Sequence, residues 1–257
     1  MSVNQALSTL MTEEEYAHAW SSDSSNHQAN GDYKWMSTFI PNDSNVLEIG
    51  CGSAFSTLEI AKRAKQVFSI EINDHLVEKA TLYLTENGYP PKVIKLSEVI
   101  NVDLSTLKEK IIIINADIND AFIDQLVSEV NIDFICCWLI GAAPKHAADI
   151  FGVSLNNLEP DYSANYRESI TWRGFQLSKI REKINYHIVI RVQPQSSISK
   201  MELKKRVITK LNGQFSLNFI HTQIKDRKTK TPSHRMQYIV QGVHNQLNEI
   251  YLFSTIL

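Results

Sequence analysis

Residues 46–74, which read VLEIGCGSAFSTLEIAKRAKQVFSIEIND, constrain the fold more than any other part of the 257-residue chain. The segment opens with an apolar run typical of a buried parallel strand. It then breaks at a turn of small residues that begins at Gly50, and it continues as an amphipathic helix. A second apolar stretch, residues 66–70, is followed by the acid Glu71. This order predicts two parallel strands joined by a helix, with a carboxylate at the end of the second strand.

A glycine turn, a helix and an acid after the next strand are the layout of a nucleotide-type cofactor site. Glycines let the backbone approach a ligand closely, and the acid accepts hydrogen bonds from ribose hydroxyls. A dinucleotide site carries G-x-G-x-x-G, whereas this chain has the spacing Glu48-x-Gly50-x-Gly52-x-Ala54. The acid before the first glycine suits a ligand with a positive charge better than a diphosphate. A strand–turn–helix unit without a ligand is the alternative, and the two acids, Glu48 and Glu71, favour the cofactor site.

The turn resembles the first motif of the class I S-adenosylmethionine-dependent methyltransferases, an acid followed by G-x-G-x-G. Ala54 stands where the third glycine of that motif usually lies, and we expect it to be tolerated because alanine adds only one methyl group. The resemblance implies that Gly50, Gly52, Ser53 and Ala54 lie under the methionine part of S-adenosyl-L-methionine. Glu48 would orient this turn or meet the ammonium group of the cofactor through water, and a purely structural role is its alternative.

The same resemblance implies roles for residues that follow three further strands. Glu71 would bind both ribose hydroxyls, and Ile72 would pack on the adenine face. Asp117 would take the adenine amino group with Ile118 as an apolar flank, although Asp117 could instead cap a helix that starts near residue 119. Trp138 would form a wall of the cofactor pocket, or it is an ordinary core residue.

The residues after the fourth strand bear on the methyl acceptor. Members of the resembled family that methylate exocyclic amino groups of adenine carry [D/N]-P-P-[Y/F/W] here, whereas residues 138–141 of this chain read WLIG. This difference argues against an adenine N6-methyltransferase. His146 is the candidate general base, and a structural or solvated histidine is the more common alternative. The substrate-binding candidates, for which an amphipathic helix face is an equal alternative, are Tyr162, Tyr166, Arg167 and Trp172.

Alternating strand and helix patterns along the chain predict the α/β fold class, with a doubly wound, seven-stranded, mostly parallel sheet and an N-terminal helical cap. The last two strands have no room for a crossover helix between them and should form a C-terminal antiparallel hairpin, which the resembled family also has. The predicted strands are residues 46–50, 66–71, 111–115, 132–138, 186–192, 215–224 and 236–244.

Two regions follow from this pattern. Residues 1–45 are predicted to form the cap or lid, and residues 46–257 the S-adenosylmethionine-binding domain, with a substrate-recognition insertion at about 141–183. Within the cap we expect a helix at residues 4–20, a polar loop at 21–31 and a short helix at 32–40. The resemblance suggests that residues 30–35 fold over the cofactor.

Composition limits the class of protein. Hydrophobic and charged contents of 43% and 21% are ordinary for a globular protein. The sequence has no secretory signal pattern and no apolar run that approaches membrane-spanning length, so we expect a cytoplasmic protein without a membrane partner. The scattered histidines lack the spacing of metal ligands, and no metal is predicted. The net charge is only −2, but residues 173–235 hold 15 of the 26 Lys and Arg residues.

Three functions remain open at this point. The leading hypothesis is a methyltransferase that acts on a small-molecule acceptor. The second is an RNA or ribonucleoprotein methyltransferase that binds nucleic acid through the basic segment, residues 173–235. The third is an S-adenosylmethionine-binding protein without transferase activity, since no general base stands out. The oligomeric state is not predicted by the sequence.

Overall fold

The computed structural model describes residues 11–99, 102–103, 106–158, 160–192, 194, 197–215, 224–230 and 249–257. Its strands are β1 (Asn45–Ile49), β2 (Gln66–Glu71), β3 (Lys92–Lys95), β4 (Ile111–Asn115), β5 (Phe134–Trp138), β6 (Asn185–Val192), β7 (Lys225–Lys230) and β8 (Glu249–Ile256). Its helices are α1 (Glu13–Ala29), α2 (Asp32–Ser37), α3 (Phe55–Ala61), α4 (Asp74–Glu86), α5 (Leu96–Val99), α6 (Ala121–Glu129), α7 (Pro144–Phe151), α8 (Pro160–Leu177) and α9 (Lys200–Phe215).

These strands form one sheet in the order β3-β4-β2-β1-β5-β6-β8-β7. The first six strands along the chain pair in parallel, whereas β8 runs antiparallel to β6 and β7 runs antiparallel to β8. The predicted α/β fold, with a mostly parallel sheet closed by a C-terminal antiparallel hairpin, is confirmed. In the part of the chain that the structure describes, no helix is long and apolar enough to cross a membrane.

Helices cover both faces of the sheet. Successive side chains of a strand point to opposite sides, so neighbouring residues of one strand belong to different cores. Leu47 and Ile49 of β1 belong to the core that α6 to α9 cover, whereas Val46 belongs to the core that α2, α3 and α4 cover. The four isoleucines of β4, residues 111–114, are fully buried, so this strand is covered on both sides. A strand covered on both faces reads as a continuous apolar run, which explains why the central strands were predicted within two residues of their bounds.

Among the described residues, the sheet has eight strands, whereas seven were predicted. The additional strand, β3, pairs with β4 at the edge of the sheet. It has four residues and follows Pro90 and Pro91, and prolines are typical of loops and strand edges. A strand this short has too few residues to show a clear alternation of apolar and polar side chains.

The hairpin that the structure describes is formed by residues other than those predicted. Strand β7 occupies part of the predicted hairpin loop, and β8 lies beyond the predicted last strand. Phe215 is the last residue of α9, while residues 216–223 and 236–244 lie outside the described residues. β7 reads KDRKTK and shows no apolar alternation. An edge strand with one neighbour can carry such charges, and Lys228 of β7 pairs with Glu249 of β8 at 2.5 Å.

Helix α1 begins and ends later than predicted. Its start is set by a capping box, in which Thr12 Oγ1 accepts a hydrogen bond from the Glu15 backbone and Glu15 Oε2 accepts one from the Thr12 backbone. The helix then continues to Ala29 through the serine-rich segment predicted as a loop. Its polar side chains are accommodated by packing, since Ser24 and His27 are 3% and 2% exposed. Residues 4–10 of the predicted helix lie outside the described residues.

A buried carboxylate joins the N-terminal helices to the hairpin. Asp32 at the start of α2 is fully buried. Its Oδ2 lies 2.7 Å from His27 Nδ1 and accepts a hydrogen bond from Thr229 Oγ1 at 3.0 Å. Its Oδ1 accepts a charged hydrogen bond from Arg227 Nε at 2.9 Å, and the same guanidinium donates to the Asn30 carbonyl. The negative charge of Asp32 therefore holds β7 against α1 and α2.

Candidate functional site

A cleft opens at the carboxyl ends of the central strands, where open α/β sheets generally bind ligands. It contains about 620 Å³ of space, counted with its open mouth. The cleft is lined by strand ends, the loops that follow them, and four helices. The lining residues are Tyr16, Trp20, Ile49, Gly50, Ile70, Glu71, Ile72, Asn73, Leu76, Ala116, Asp117, Ile118, Ile140, Gly141, Ala143, His146, Tyr166 and Ile170.

The glycine loop, residues 50–54, begins at the cleft, which Gly50 lines. Gly50 has φ +72° and Gly52 has φ +55°, both in the left-handed region that favours glycine. Ala54 is also left-handed, with φ +65°. This conformation costs a residue with a Cβ roughly 1–2 kcal/mol, so alanine is less neutral here than its single extra methyl group suggests.

The carboxylate of Glu71 faces the cleft beside this loop. Its two oxygens accept hydrogen bonds from the backbone N–H groups of Gly52 at 2.9 Å and Asn73 at 3.0 Å. Burial raises the pKa of Glu71, and these two N–H groups oppose that rise. A carboxylate can accept about four hydrogen bonds, so Glu71 retains the capacity to accept two more from a ligand. This arrangement fits the two hydroxyls of a ribose.

Three predicted adenine-binding residues also lie at the cleft: Ile72, Asp117 and Ile118. Asp117 Oδ1 accepts hydrogen bonds from the backbone and the side chain of Asn119, at 2.8 and 2.9 Å. The alternative role of Asp117 as a helix cap is not observed, because Asp120 occupies the N-cap position of α6. Asp117 therefore lies in a turn that presents it to the cleft beside two apolar side chains.

Glu48 lies beneath the glycine loop and is not among the residues that line the cleft. Its carboxylate accepts hydrogen bonds from Ser56 Oγ at 2.5 Å, Thr57 Oγ1 at 2.6 Å and Ser69 Oγ at 2.8 Å. Burial raises the pKa of Glu48, and the three hydroxyl donors oppose that rise. These contacts tie β1 to α3 and β2, which agrees with the role of orienting the loop rather than with contact to a ligand.

Trp138 lies in the core instead of the cleft. It is 6% exposed, and its Nε1–H donates a hydrogen bond to His187 Nδ1 at 3.0 Å. Gly52, Ser53 and Ala54 also lie outside the cleft-lining set, because α1 covers this part of the glycine loop. Of the predicted cofactor residues, the structure therefore brings Gly50, Glu71, Ile72, Asp117 and Ile118 together around one cleft.

Helix α1 supplies two cleft residues that sequence reasoning missed, Tyr16 and Trp20. A Cβ on Gly52 would lie 2.5 Å from Trp20 Nε1, and a Cβ on Gly141 would collide with Tyr16 Oη. Both glycines are thus required for close contact with the two rings. Residues 30–35, predicted as the lid, are not in the cleft lining, and α1 covers the cleft instead. The only sequence signal was two aromatic residues four positions apart on a helix.

His146 and Tyr166 approach the cleft from α7 and α8. His146 Nε2 lies 3.6 Å from Glu13 Oε1, and it is a buried atom without a hydrogen-bond partner among the described residues. Burial lowers the pKa of His146, although Glu13 opposes this effect. Tyr166 is 7% exposed, and burial raises its pKa. His146 therefore offers a neutral imidazole nitrogen inside the cleft.

The other predicted substrate residues are not brought to the cleft. Tyr162 packs against Phe151, with ring centroids 5.2 Å apart. Trp172 stacks on Phe215 between α8 and α9, with centroids 5.8 Å apart. Arg167 is exposed. Tyr162 and Trp172 thus belong to an amphipathic helix face, which was the alternative to substrate binding.

Among the described residues, four cations of the basic segment form ion pairs with acids that lie outside it. Each of these cations has a different acid as its partner, and Asp226, which lies within the segment, forms two further ion pairs. The pairs are Lys210–Glu168, Lys228–Glu249, Arg173–Asp124, Arg227–Asp32, Lys200–Asp226 and Lys204–Asp226. The described residues contain no cluster of His, Cys, Asp and Glu that could hold a metal.

Part of the chain is similar in sequence to known methyltransferases. Residues 36–125 match the family model of ribosomal RNA adenine dimethylases. This stretch contains the glycine loop, Glu71 and Asp117, and it ends before β5. A segment of 57 residues is 39% identical to the protein-L-isoaspartate O-methyltransferase of Opitutus terrae. The match spans 22% of this chain and only 24% of that protein.

Several solved structures are similar to the chain at low sequence identity. The N-methyltransferase NodS of Bradyrhizobium japonicum WM9, in complex with S-adenosyl-L-homocysteine, has a TM-score of 0.45 and 8% identity, over 90% of this chain and 86% of that one. The precorrin-6y C5,15-methyltransferase of Geobacter metallireducens GS-15 has a TM-score of 0.44 and 12% identity, over 86% and 84%. The family match over residues 36–125 confirms the resemblance to the class I S-adenosylmethionine-dependent methyltransferases.

Proposed function

We propose that the protein is an S-adenosylmethionine-dependent methyltransferase that acts on a small-molecule acceptor. The observation that carries this proposal is the carboxylate of Glu71, which faces the cleft beside the glycine loop. Both features lie in the segment that matches a methyltransferase family model. S-adenosylmethionine, when bound, supplies a methyl group that is activated by a sulfonium.

The residues of this chain would hold the cofactor along the carboxyl edge of the sheet. Glu71 would bind the ribose hydroxyls, Ile72 and Ile118 would pack against the adenine, and Asp117 would accept a hydrogen bond from its amino group. Holding a reactive group in a fixed orientation supplies a large part of the rate of such an enzyme. Helix α1 covers the cleft, and its aromatic side chains would exclude water from it.

His146 is the proposed general base. His146 lines the cleft, and its Nε2 has no hydrogen-bond partner among the described residues. The lowered pKa keeps the imidazole neutral near pH 7, so that it can accept a proton from an acceptor hydroxyl or amine. Residues 141–183, which include Tyr166, would form the remainder of the acceptor pocket.

Two features favour a small acceptor: the position of helix α1 at the cleft, and the ion pairs of the basic segment. The rings of Tyr16 and Trp20 line the cleft and lie close to Gly141, which would restrict access for a bulky polymer. Seven ion pairs among the described residues offset cations of the basic segment, which leaves less charge for phosphate contacts. The WLIG sequence at residues 138–141 also differs from the amine-binding pattern of adenine N6-methyltransferases.

Methylation of RNA is the second candidate, and the match to ribosomal RNA adenine dimethylases favours it. RNA binding through the basic segment would weaken steeply as salt rises, because phosphate contacts release counterions. Absent or salt-insensitive RNA binding would remove this candidate.

Transfer of labelled methyl groups tests these functions. The protein would be incubated with methyl-labelled S-adenosylmethionine and, separately, with a low-molecular-weight metabolite fraction or with RNA. We expect label in the metabolite fraction, and much less of it with His146→Gln although cofactor binding persists. Label in RNA would replace the proposed acceptor class. Cofactor binding without label in either fraction would support the non-catalytic alternative.

A further inference from the structure

We propose that Tyr16 and Trp20 of α1 form an aromatic face that binds the sulfonium of the cofactor. The cleft would thereby prefer charged S-adenosylmethionine to its uncharged product, S-adenosylhomocysteine. This inference rests on the proposed function. It assigns to α1 a binding role that neither the glycine motif nor the acid at position 71 provides.

The position of the two rings supports this role. The indole of Trp20 spans the cleft, with Nε1 against Gly52 of the glycine loop and Cζ3 close to Gly141 of the β5–α7 loop. Tyr16 Oη also contacts Gly141. The rings therefore lie between the loop proposed to hold the methionine part and the strand end proposed to face the acceptor. A sulfonium that joins these two regions would lie against them.

The chemistry of a sulfonium makes ring faces suitable partners. A sulfonium carries a positive charge but has no N–H or O–H group, so it cannot donate a conventional hydrogen bond. Burial of a charge without a partner is costly. Aromatic faces attract cations electrostatically, and they bind quaternary ammonium groups in the same way. S-adenosylhomocysteine is a neutral thioether at this atom and gains no such attraction.

The local charges are compatible with a bound cation. The guanidinium of Arg191 lies over the Trp20 ring, 5.4 Å from its centroid, so this indole already has one cationic partner. Burial is the main cause of the raised pKa of Tyr16. The negative charge of Glu71 raises this pKa further, and the positive charge of Arg191 lowers it by a smaller amount.

The rings are also held in place before any ligand arrives. They are nearly parallel, with an interplanar angle of 11° and centroids 6.3 Å apart. Ser21 Oγ lies 2.5 Å from Ser53 Oγ of the glycine loop. Near the other end of the helix, Asn73 Nδ2 donates a hydrogen bond to the Glu13 carbonyl at 3.1 Å. Such prior ordering reduces the entropy cost of binding.

Paired ligands and paired variants test the proposal. Calorimetric titrations with S-adenosylmethionine and S-adenosylhomocysteine would give the ratio of their dissociation constants for the wild type, Trp20→Leu and Trp20→Phe. Leucine keeps an apolar side chain but lacks a π face, whereas phenylalanine keeps a π face. We expect Trp20→Leu to reduce the preference for S-adenosylmethionine by about 2- to 30-fold. Trp20→Phe should retain most of that preference.

Three outcomes would overturn this role, and they differ in what else they remove. An equal loss of affinity for both ligands in Trp20→Leu would make the ring a simple wall, and unchanged affinities for both ligands would exclude it from binding. Both results leave the proposed function standing. Failure of the wild type to bind either ligand would remove the proposed function itself. If Trp20→Leu does not fold, as judged by circular dichroism, Tyr16→Leu and Tyr16→Phe provide the same comparison.

Discussion

His187 allows a quantitative prediction about stability and pH. The ring is fully buried between β5 and β8. Its Nδ1 accepts a hydrogen bond from Trp138 Nε1 at 3.0 Å, and its Nε2 lies 2.7 Å from Ser254 Oγ. Because Nδ1 is an acceptor, Nε2 of the neutral ring carries the hydrogen and donates a hydrogen bond to Ser254 Oγ. Burial lowers the pKa of His187 to about 3.

The size of the effect follows from the two pKa values. A histidine in the unfolded chain has a pKa of about 6.5, so the unfolded state binds more protons than the folded state between about pH 6.5 and pH 3. The stability is therefore fully present above pH 6.5 and falls as the pH is lowered through this window. Between pH 7.5 and pH 5.0, protonation of residue 187 in the unfolded chain should lower the free energy of unfolding by about 2 kcal/mol.

Comparison of the wild type with His187→Gln isolates this contribution. The lowered pKa values of His27 and His146 act in the same direction, whereas the raised pKa values of Glu48 and Glu71 act in the opposite one. All four groups are present in both proteins. Glutamine offers one acceptor and one donor but does not titrate.

Urea unfolding at pH 7.5 and pH 5.0, followed by circular dichroism, measures the difference. The wild type should lose about 2 kcal/mol more than His187→Gln on acidification. The variant can be less stable at both pH values without affecting this comparison. Equal losses in the two proteins would refute the assignment of a buried, neutral imidazole.

Two further perturbations test the contacts that hold α1 in place. Arg227→Ala should lower the free energy of unfolding by about 3–5 kcal/mol, because it leaves the fully buried carboxylate of Asp32 without its cation. Asp32→Asn should recover part of that loss in the double variant, and additive losses in a urea-unfolding cycle would argue against the pair. Gly141→Ala should lower the thermal midpoint and weaken cofactor binding, since its methyl group would collide with Tyr16 Oη. The matched change Gly213→Ala, in a helix with open space at the Cβ position, should stabilise the fold by about 0.5–1 kcal/mol; equal effects of the two alanines would contradict the close contact at Tyr16.

The sequence predicted the acids at strand ends more reliably than the places of Glu48 and Trp138. Glu71 is the last residue of β2 and Asp117 follows β4 by two residues, and the carboxyl ends of parallel strands meet at one edge of the sheet. The place of the two acids at the cleft therefore follows from the strand assignment. Glu48 lies inside β1 and Trp138 is the last residue of β5, and both strands are buried on both faces. The apolar pattern of such strands does not indicate which face a given side chain occupies.

The contribution of α1 could not be predicted from local patterns. Tyr16 and Trp20 form an aromatic pair on one side of a helix, a pattern shared by any core-packing helix. Their position at the cleft depends on long-range contacts that fix the helix, such as those between Asp32 and Arg227 of the hairpin. Those contacts in turn involve β7, whose charged sequence concealed the strand.

The central claim is that Glu71 binds the cofactor, and calorimetric titration with S-adenosylmethionine tests it most directly. Glu71→Ala should lose at least about 1.5–3 kcal/mol of binding free energy, the value of hydrogen bonds to a charged group. The exposed acid Glu86, at the end of α4, provides the control, and Glu86→Ala should bind as the wild type does. Equal affinities for Glu71→Ala and Glu86→Ala, or no binding by the wild type, would contradict the account.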